Sequence, residues 1–225
     1  MRRFFSLYQY LGPALLTPLA AWLWWRHYGG NAPLAALAVG VPVIHAYLVP
    51  GIGTNVLGMW AFNARLKLGR FRPQHGFVFG SATALIVLPL AGSPLAGADP
   101  AAAWQTGLAA GAVLLAVNWI YDALAIRHGV LEVYNQPAAE SASAWAIAGD
   151  YVIWFFGLFG LIYGAGLKLA EPMLLAGGGW GTAFLAGAAM VAATAILPSA
   201  CYVAASFLRH GHSGLTPVSR EAKAP

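Results

Sequence analysis

Long apolar blocks separated by short polar connections run the length of this chain. A hydrocarbon core about 30 Å thick takes about 20 helical residues to cross. Blocks of that order lie at Leu7–Trp25, Pro33–Trp60, Gly76–Leu95, Trp104–Ile126, Trp145–Leu167 and Gly181–Leu208. The short alternating segments of a membrane β-barrel are not seen. The pattern predicts an all-α fold: a polytopic transmembrane helix bundle of about six spans. It forms one domain, residues 1–208, with a disordered cytoplasmic tail at 209–225. Pro42 and Pro50 in the second block and Pro198 in the sixth mark kinks. Membrane helices tolerate these where neighbouring groups satisfy the freed carbonyl.

Composition agrees with lipid as the solvent. Hydrophobic residues make up 60% of the 225 and charged residues 8%, against about 25% charged in an average soluble domain. The net charge of +5 does not point to nucleic acid, because the basic residues lie at the ends and in the connections. One side of the predicted bundle receives Arg2, Arg3, Arg65, Lys67, Arg70, Arg72, Arg127, Arg209, Arg220 and Lys223. The other receives only Arg26 and Lys168, ten against two of the 12 basic residues. That bias puts both termini in the cytoplasm of a multi-pass protein of the cell (inner) membrane, and it requires an even number of spans. Arg2 and Arg3 precede an apolar run too long for a typical cleaved signal, so it reads as a retained first helix. Trp22, Trp24, Trp25, Tyr28, Trp60, Trp104, Trp145 and Trp180 sit at span ends, as in an aromatic girdle. Cys201, the single cysteine, allows no intramolecular disulfide and no thiolate metal cluster.

Ionisable groups within spans carry the most information, because each costs free energy in lipid. Three stand out: His45 in the second span, Asp122 in the fourth and Asp150 early in the fifth. Asn118 precedes Asp122 by one helical turn and shares its face. Trp119 and Tyr121 flank the pair, and Asn55 adds a polar group lower in the second helix. With about 1.5 Å rise per residue, both acids lie within ~5–10 Å of the cytoplasmic interface and are expected to face each other. Structural roles compete with functional ones. Asp122 can pair with Arg127, Arg65 or Arg72, Asp150 can serve a helix N-terminus, and His45 can bond the backbone near Pro42. No phosphate loop, nucleophile elbow or histidine-rich box occurs, so no cofactor and no metal are expected.

The stretch Asn118-Trp119-Ile120-Tyr121-Asp122-Ala123-Leu124-Ala125, then Gly129-Val130 and Tyr134-Asn135, resembles the lycopene-cyclase domain of carotenoid synthesis. That family has a Trp-Asp-x-x-Ala-like helix end, a Gly-Val-Trp-x-Tyr-Asn-like turn and a Pro-x-Glu-Glu motif opening the next helix. Ala148-Gly149-Asp150 followed by Trp154-Phe155-Phe156 stands at the matching place. One aspartate replaces two acids, the proline is missing, and Leu131 stands for the tryptophan. The chain is similar as well to small membrane terpene cyclases, with Gly58-Met59-Trp60-Ala61-Phe62-Asn63 in place of a Trp-Glu-Phe-like motif. Gly58–Asn63 and Gly129–Asn135 also echo each other at the ends of even-numbered helices.

The resemblance implies a membrane enzyme acting on an apolar isoprenoid by acid-initiated cyclisation or isomerisation. Asp122 and Asp150 would be its acids, with Trp119, Tyr121, Trp154 and Phe155 as cation-stabilising rings and Asn118 orienting Asp122. His45 and Asn55 complete the candidate substrate contacts. The expected partners are membrane lipid and the isoprenoid itself, with an oligomer or larger complex left open. Two other readings remain, a non-enzymatic subunit of a membrane complex and a small-molecule transporter.

Overall fold

The computed structural model describes residues 2–218. In chain order it contains α1 (Arg2–His27), α2 (Ala32–Asn55), β1 (Trp60–Phe62), α3 (His75–Val87), α4 (Pro100–Arg127), β2 (Leu131–Val133), α5 (Gln136–Ala139) and α6 (Ala144–Val152). A π-helical stretch, Ile153–Leu158, joins α6 to α7 (Phe159–Leu175), and α8 (Trp180–His210) follows. Four helices are long and apolar enough to cross a membrane: α2, α4, the continuous Ala144–Leu175 and α8. The first predicted span is the 26-residue α1, which falls outside that class. The third is shorter than predicted, reaching only from His75 through a 3₁₀ turn to Leu90.

Local chemistry sets the helix starts. Asn31 Oδ1 accepts from Leu34 N at 3.1 Å, Asp99 Oδ1 from Ala102 N at 3.0 Å, and Ser143 Oγ from Ala146 N at 3.3 Å. Each side chain satisfies one of the donors a helix leaves orphaned, and Pro33 and Pro100 follow two of these caps where a missing N–H costs nothing. Gly211, at φ +75°, closes α8 in the left-handed conformation.

The helices pack through small residues. A Cβ on Gly107 would stand 2.6 Å from the Leu161 carbonyl oxygen, and one on Gly111 2.7 Å from that of Gly157. Gly160 and Gly164 approach α4 from the other side of the same seam. Between helices surrounded by lipid no hydrophobic gain is available, so such close backbone approach and the packing it allows hold the pair. The core forms two apolar clusters. One is built on Trp24, Leu34, Leu114, Phe159 and Tyr163, and the other on Trp60, Leu131, Tyr151, Phe155 and Tyr202.

The second cluster includes a feature the helical pattern did not predict, an antiparallel ribbon of β1 and β2. Trp60 pairs with Val133, Ala61 with Glu132 and Phe62 with Leu131. The two echoing sequence segments are therefore partners. Gly58 and Gly129 enter the ribbon at φ +71° and +66°, a backbone region that favours glycine. Asn63 donates to the Gly129 carbonyl at 2.9 Å, and Asn135 donates to the Asp150 carboxylate at 3.1 Å.

The stretch expected as a tail is described as far as residue 218. Arg209 and His210 end α8, and Val218 N donates to the Tyr134 carbonyl at 2.8 Å, which extends the ribbon. Arg220 and Lys223, counted above among the cytoplasmic charges, lie outside the described residues together with the rest of that tail. Two further expectations are corrected. Lys168 is a buried residue of α7 and not a connection charge, and Trp24 and Trp60 are buried, whereas Trp22, Trp25, Trp104, Trp145 and Trp180 are exposed.

Candidate functional site

A cavity of about 310 Å³ lies between α2, α3, α4, the π-helical stretch and the ribbon. Its walls are mostly apolar, with Val49, Val78, Phe79, Ile86, Val117 and Phe156 along its length. That size falls at the lower end of the range of about 300–1,000 Å³ typical of small-molecule sites. Five residues selected from sequence line it: His45, Asn118, Tyr121, Asp122 and Phe155.

The polar groups gather at its ribbon end. Asp122 is 7% exposed and accepts from the Tyr151 hydroxyl at 2.7 Å. Asn118 spends its amide N–H on the Leu114 carbonyl of its own helix, 2.8 Å away. Arg72, from the loop before α3, is buried with its guanidinium 4.8 Å from the Phe62 ring centroid, and its Nε donates to His75 Nδ1 at 3.0 Å. Tyr121 and Asp122 both lie within the electrostatic reach of that guanidinium. His45 sits deeper, with Nδ1 3.2 Å from Thr194 Oγ1 and its ring 4.3 Å from that of Phe159.

Aromatic rings close the ribbon end. Phe155 meets Trp60 edge-on with centroids 5.5 Å apart, and Trp60 also lies 6.0 Å from Tyr151. The π-helical stretch carries Phe155 and Phe156 into the cavity. Such bulges shift side chains relative to a regular helix and are frequent at functional sites.

Four of the expected site residues lie elsewhere. Asp150 does not face Asp122 across a shared space. Its Oδ1 is 2.8 Å from Arg209 and 3.0 Å from His210, Asn135 donates to Oδ2, and Arg209 also donates to the Asp150 carbonyl at 3.0 Å. Its carboxylate joins the ends of α6 and α8. Trp119 is 40% exposed and donates to the Trp145 carbonyl at 2.9 Å. Trp154 packs against the apolar cluster outside the cavity lining. Asn55 holds the loop after β1, donating to the Leu68 carbonyl at 3.1 Å and accepting from Arg70 N at 2.8 Å.

Sequence reasoning missed Tyr151, His75 and Tyr8 as lining residues and took Arg72 for a topology charge and Trp60 for a girdle residue. Arg72 left one signal, because it stands two residues past Arg70 and three before His75 at the mouth of an apolar helix. Among the described residues no group of three His, Cys, Asp or Glu side chains is placed to hold a metal ion. No family model, no curated protein and no solved structure matches the chain.

Proposed function

We propose that this protein is an integral membrane enzyme that acts on an apolar isoprenoid or related lipid by acid-initiated isomerisation or cyclisation, with Asp122 as the acid. The observation that carries this reading is a buried carboxyl at the polar end of an apolar cavity walled by aromatic rings. Asp122 gives its proton to one carbon of a substrate double bond, and the charge develops on the adjacent carbon. The faces of Trp60 and Phe155 are suited to that cation, an interaction of about 2 kcal/mol or more when desolvated. Loss of a proton from a neighbouring carbon to the Asp122 carboxylate completes the reaction, so the acid is regenerated and no co-reactant is consumed. The Tyr151 hydroxyl stabilises the carboxylate between the two steps.

Val117 lines the cavity and is 41% exposed, which supports entry of substrate from lipid along the α3–α4 side. We place six passes in the inner membrane, α1, α2, α3, α4, α6–α7 and α8, with both termini cytoplasmic. The alternation of helix ends supports this. Tyr28 and Glu171 join the ends of α1 and α7 at one pole, while Asp150 and Arg209 join the first part of the continuous Ala144–Leu175 helix to the end of α8 at the other. A reporter fused after Pro225 should read cytoplasmic, and a periplasmic signal would refute the six-pass arrangement.

The enzymatic test is mass spectrometry of lipid extracts from cells supplied with a panel of linear isoprenoids. Wild type should yield a product of the same mass as its substrate that equally expressed Asp122→Asn does not. A product from both proteins would remove Asp122 as the acid.

A further inference from the structure

Resting on the reading of Asp122 as the acid of this cavity, we infer that the substrate is not a pure hydrocarbon: its reacting end carries an oxygen acceptor that Arg72 holds. Arg72 is 4% exposed, and among the described residues no carboxylate lies within ion-pair distance of it. Its guanidinium has the Phe62 ring on one side, bonds His75 from Nε and has the Tyr121 hydroxyl as a second, uncharged partner. Because His75 Nδ1 accepts that bond, the ring is the neutral tautomer and supplies no charge. A buried cation without a counter-ion is costly, and a guanidinium offers a planar fork of N–H donors that fits a carboxylate or a similar oxygen pair. The chain has another buried cation, Lys168, and there it provides Glu171 at 2.8 Å. At Arg72 it provides a cavity.

A hydrocarbon would leave this charge without a direct ion-pair partner beside a developing carbocation. A ligand oxygen seated on Arg72 removes that repulsion and fixes which double bond meets Asp122. The apolar chain of the ligand then runs along Val78, Phe79, Ile86 and Phe156.

The test is binding, not turnover, so it stands apart from the product assay. Purified full-length protein in a nonionic detergent is titrated with three linear isoprenoids of one chain length, ending in a carboxylate, a hydroxyl or a methyl group. Quenching of tryptophan fluorescence reads the affinity. The carboxylate should bind about tenfold tighter than the hydrocarbon, with the alcohol between them. Arg72→Gln should abolish that ranking while leaving hydrocarbon affinity unchanged, and Arg72→Lys, which keeps charge but not the fork, should restore part of it. Asp122→Asn should keep the ranking even though it makes no product. Equal affinity of wild type for acid and hydrocarbon overturns the inference, whether or not Arg72→Gln folds, and so does a ranking that survives in Arg72→Gln. A short-chain anionic phospholipid is the last arm. If it displaces the acid and binds more tightly through Arg72, the site belongs to a lipid headgroup and the inference fails.

Discussion

At the pole where α1 meets α7, Glu171 is fully buried, yet each of its oxygens is occupied. Lys168 Nζ lies at 2.8 Å, the Tyr28 hydroxyl donates at 3.2 Å and Leu95 N at 2.8 Å, while Lys168 also donates to the Ser93 carbonyl. At the ribbon pole, Asp122 is nearly as buried but, among the described residues, has the Tyr151 hydroxyl alone as hydrogen-bond partner, and it faces open space. Both are acids in apolar surroundings, and burial does not distinguish them. The number of partners and the presence of a cavity do. A satisfied buried acid staples helices and loops, whereas one with spare lone pairs beside a cavity is available to a ligand.

The largest separation between the two acids should appear in catalysis. Asp122→Asn should lower product formation by about 10²–10⁴-fold, the usual contribution of a general acid, with little change in thermal unfolding in detergent. Glu171→Gln should do the reverse. It strands Lys168 without a counter-ion and should cost about 3–5 kcal/mol of stability, with activity per folded molecule retained. If Glu171→Gln were as stable as wild type and inactive, the contrast between the poles would be inverted. Asp150 makes a third case, an acid at the ribbon pole whose oxygens are as fully used as those of Glu171. Asp150→Asn should loosen the α6–α8 junction, seen as faster proteolysis after α8, and leave product yield within a few-fold of wild type. A catalytic loss equal to that of Asp122→Asn would restore a two-acid site.

The smallest effect lies in the ribbon. Glu132 on β2 is bonded by the Tyr134 hydroxyl at 2.7 Å and by Asn63 at 2.8 Å, and these donors hold its carboxyl below the ordinary range. Its contribution to stability is therefore complete above the ordinary glutamate value of about 4.3. It is lost as pH falls from there through the lowered folded value. The melting temperature should fall slightly more steeply over that interval for wild type than for Glu132→Gln.

Much of the helical frame was legible because its signals are local. Pro33, where the second block begins, stands in the first turn of α2, and the long apolar blocks correspond to helices. The face shared by Asn118 and Asp122 was equally readable from a one-turn spacing, and both line the cavity. What could not be read depends on pairing across the chain. Strands as short as Trp60–Phe62 have no periodicity of their own and exist only through Leu131–Val133. The same holds for Asp150, whose partners Arg209 and His210 come from the far end of α8. Arg72 was hidden differently. Loop arginines normally report membrane orientation, and only the fold of that loop turns this one inward.

The ribbon has a consequence for how the protein is made. A chain synthesised from its N-terminus completes α1, α2 and α3, and so presents Arg72 and His75, before Asp122 and β2 exist. Until β2 emerges, Trp60 and Phe62 have no strand to pair with, and the ribbon end of the cavity stays open. The bond from Val218 to Tyr134 forms later still, after α8 has been made. The ribbon end of the cavity therefore cannot close before β2 and the π-helical stretch have been made, and its last lining residue is Phe156 of the 225.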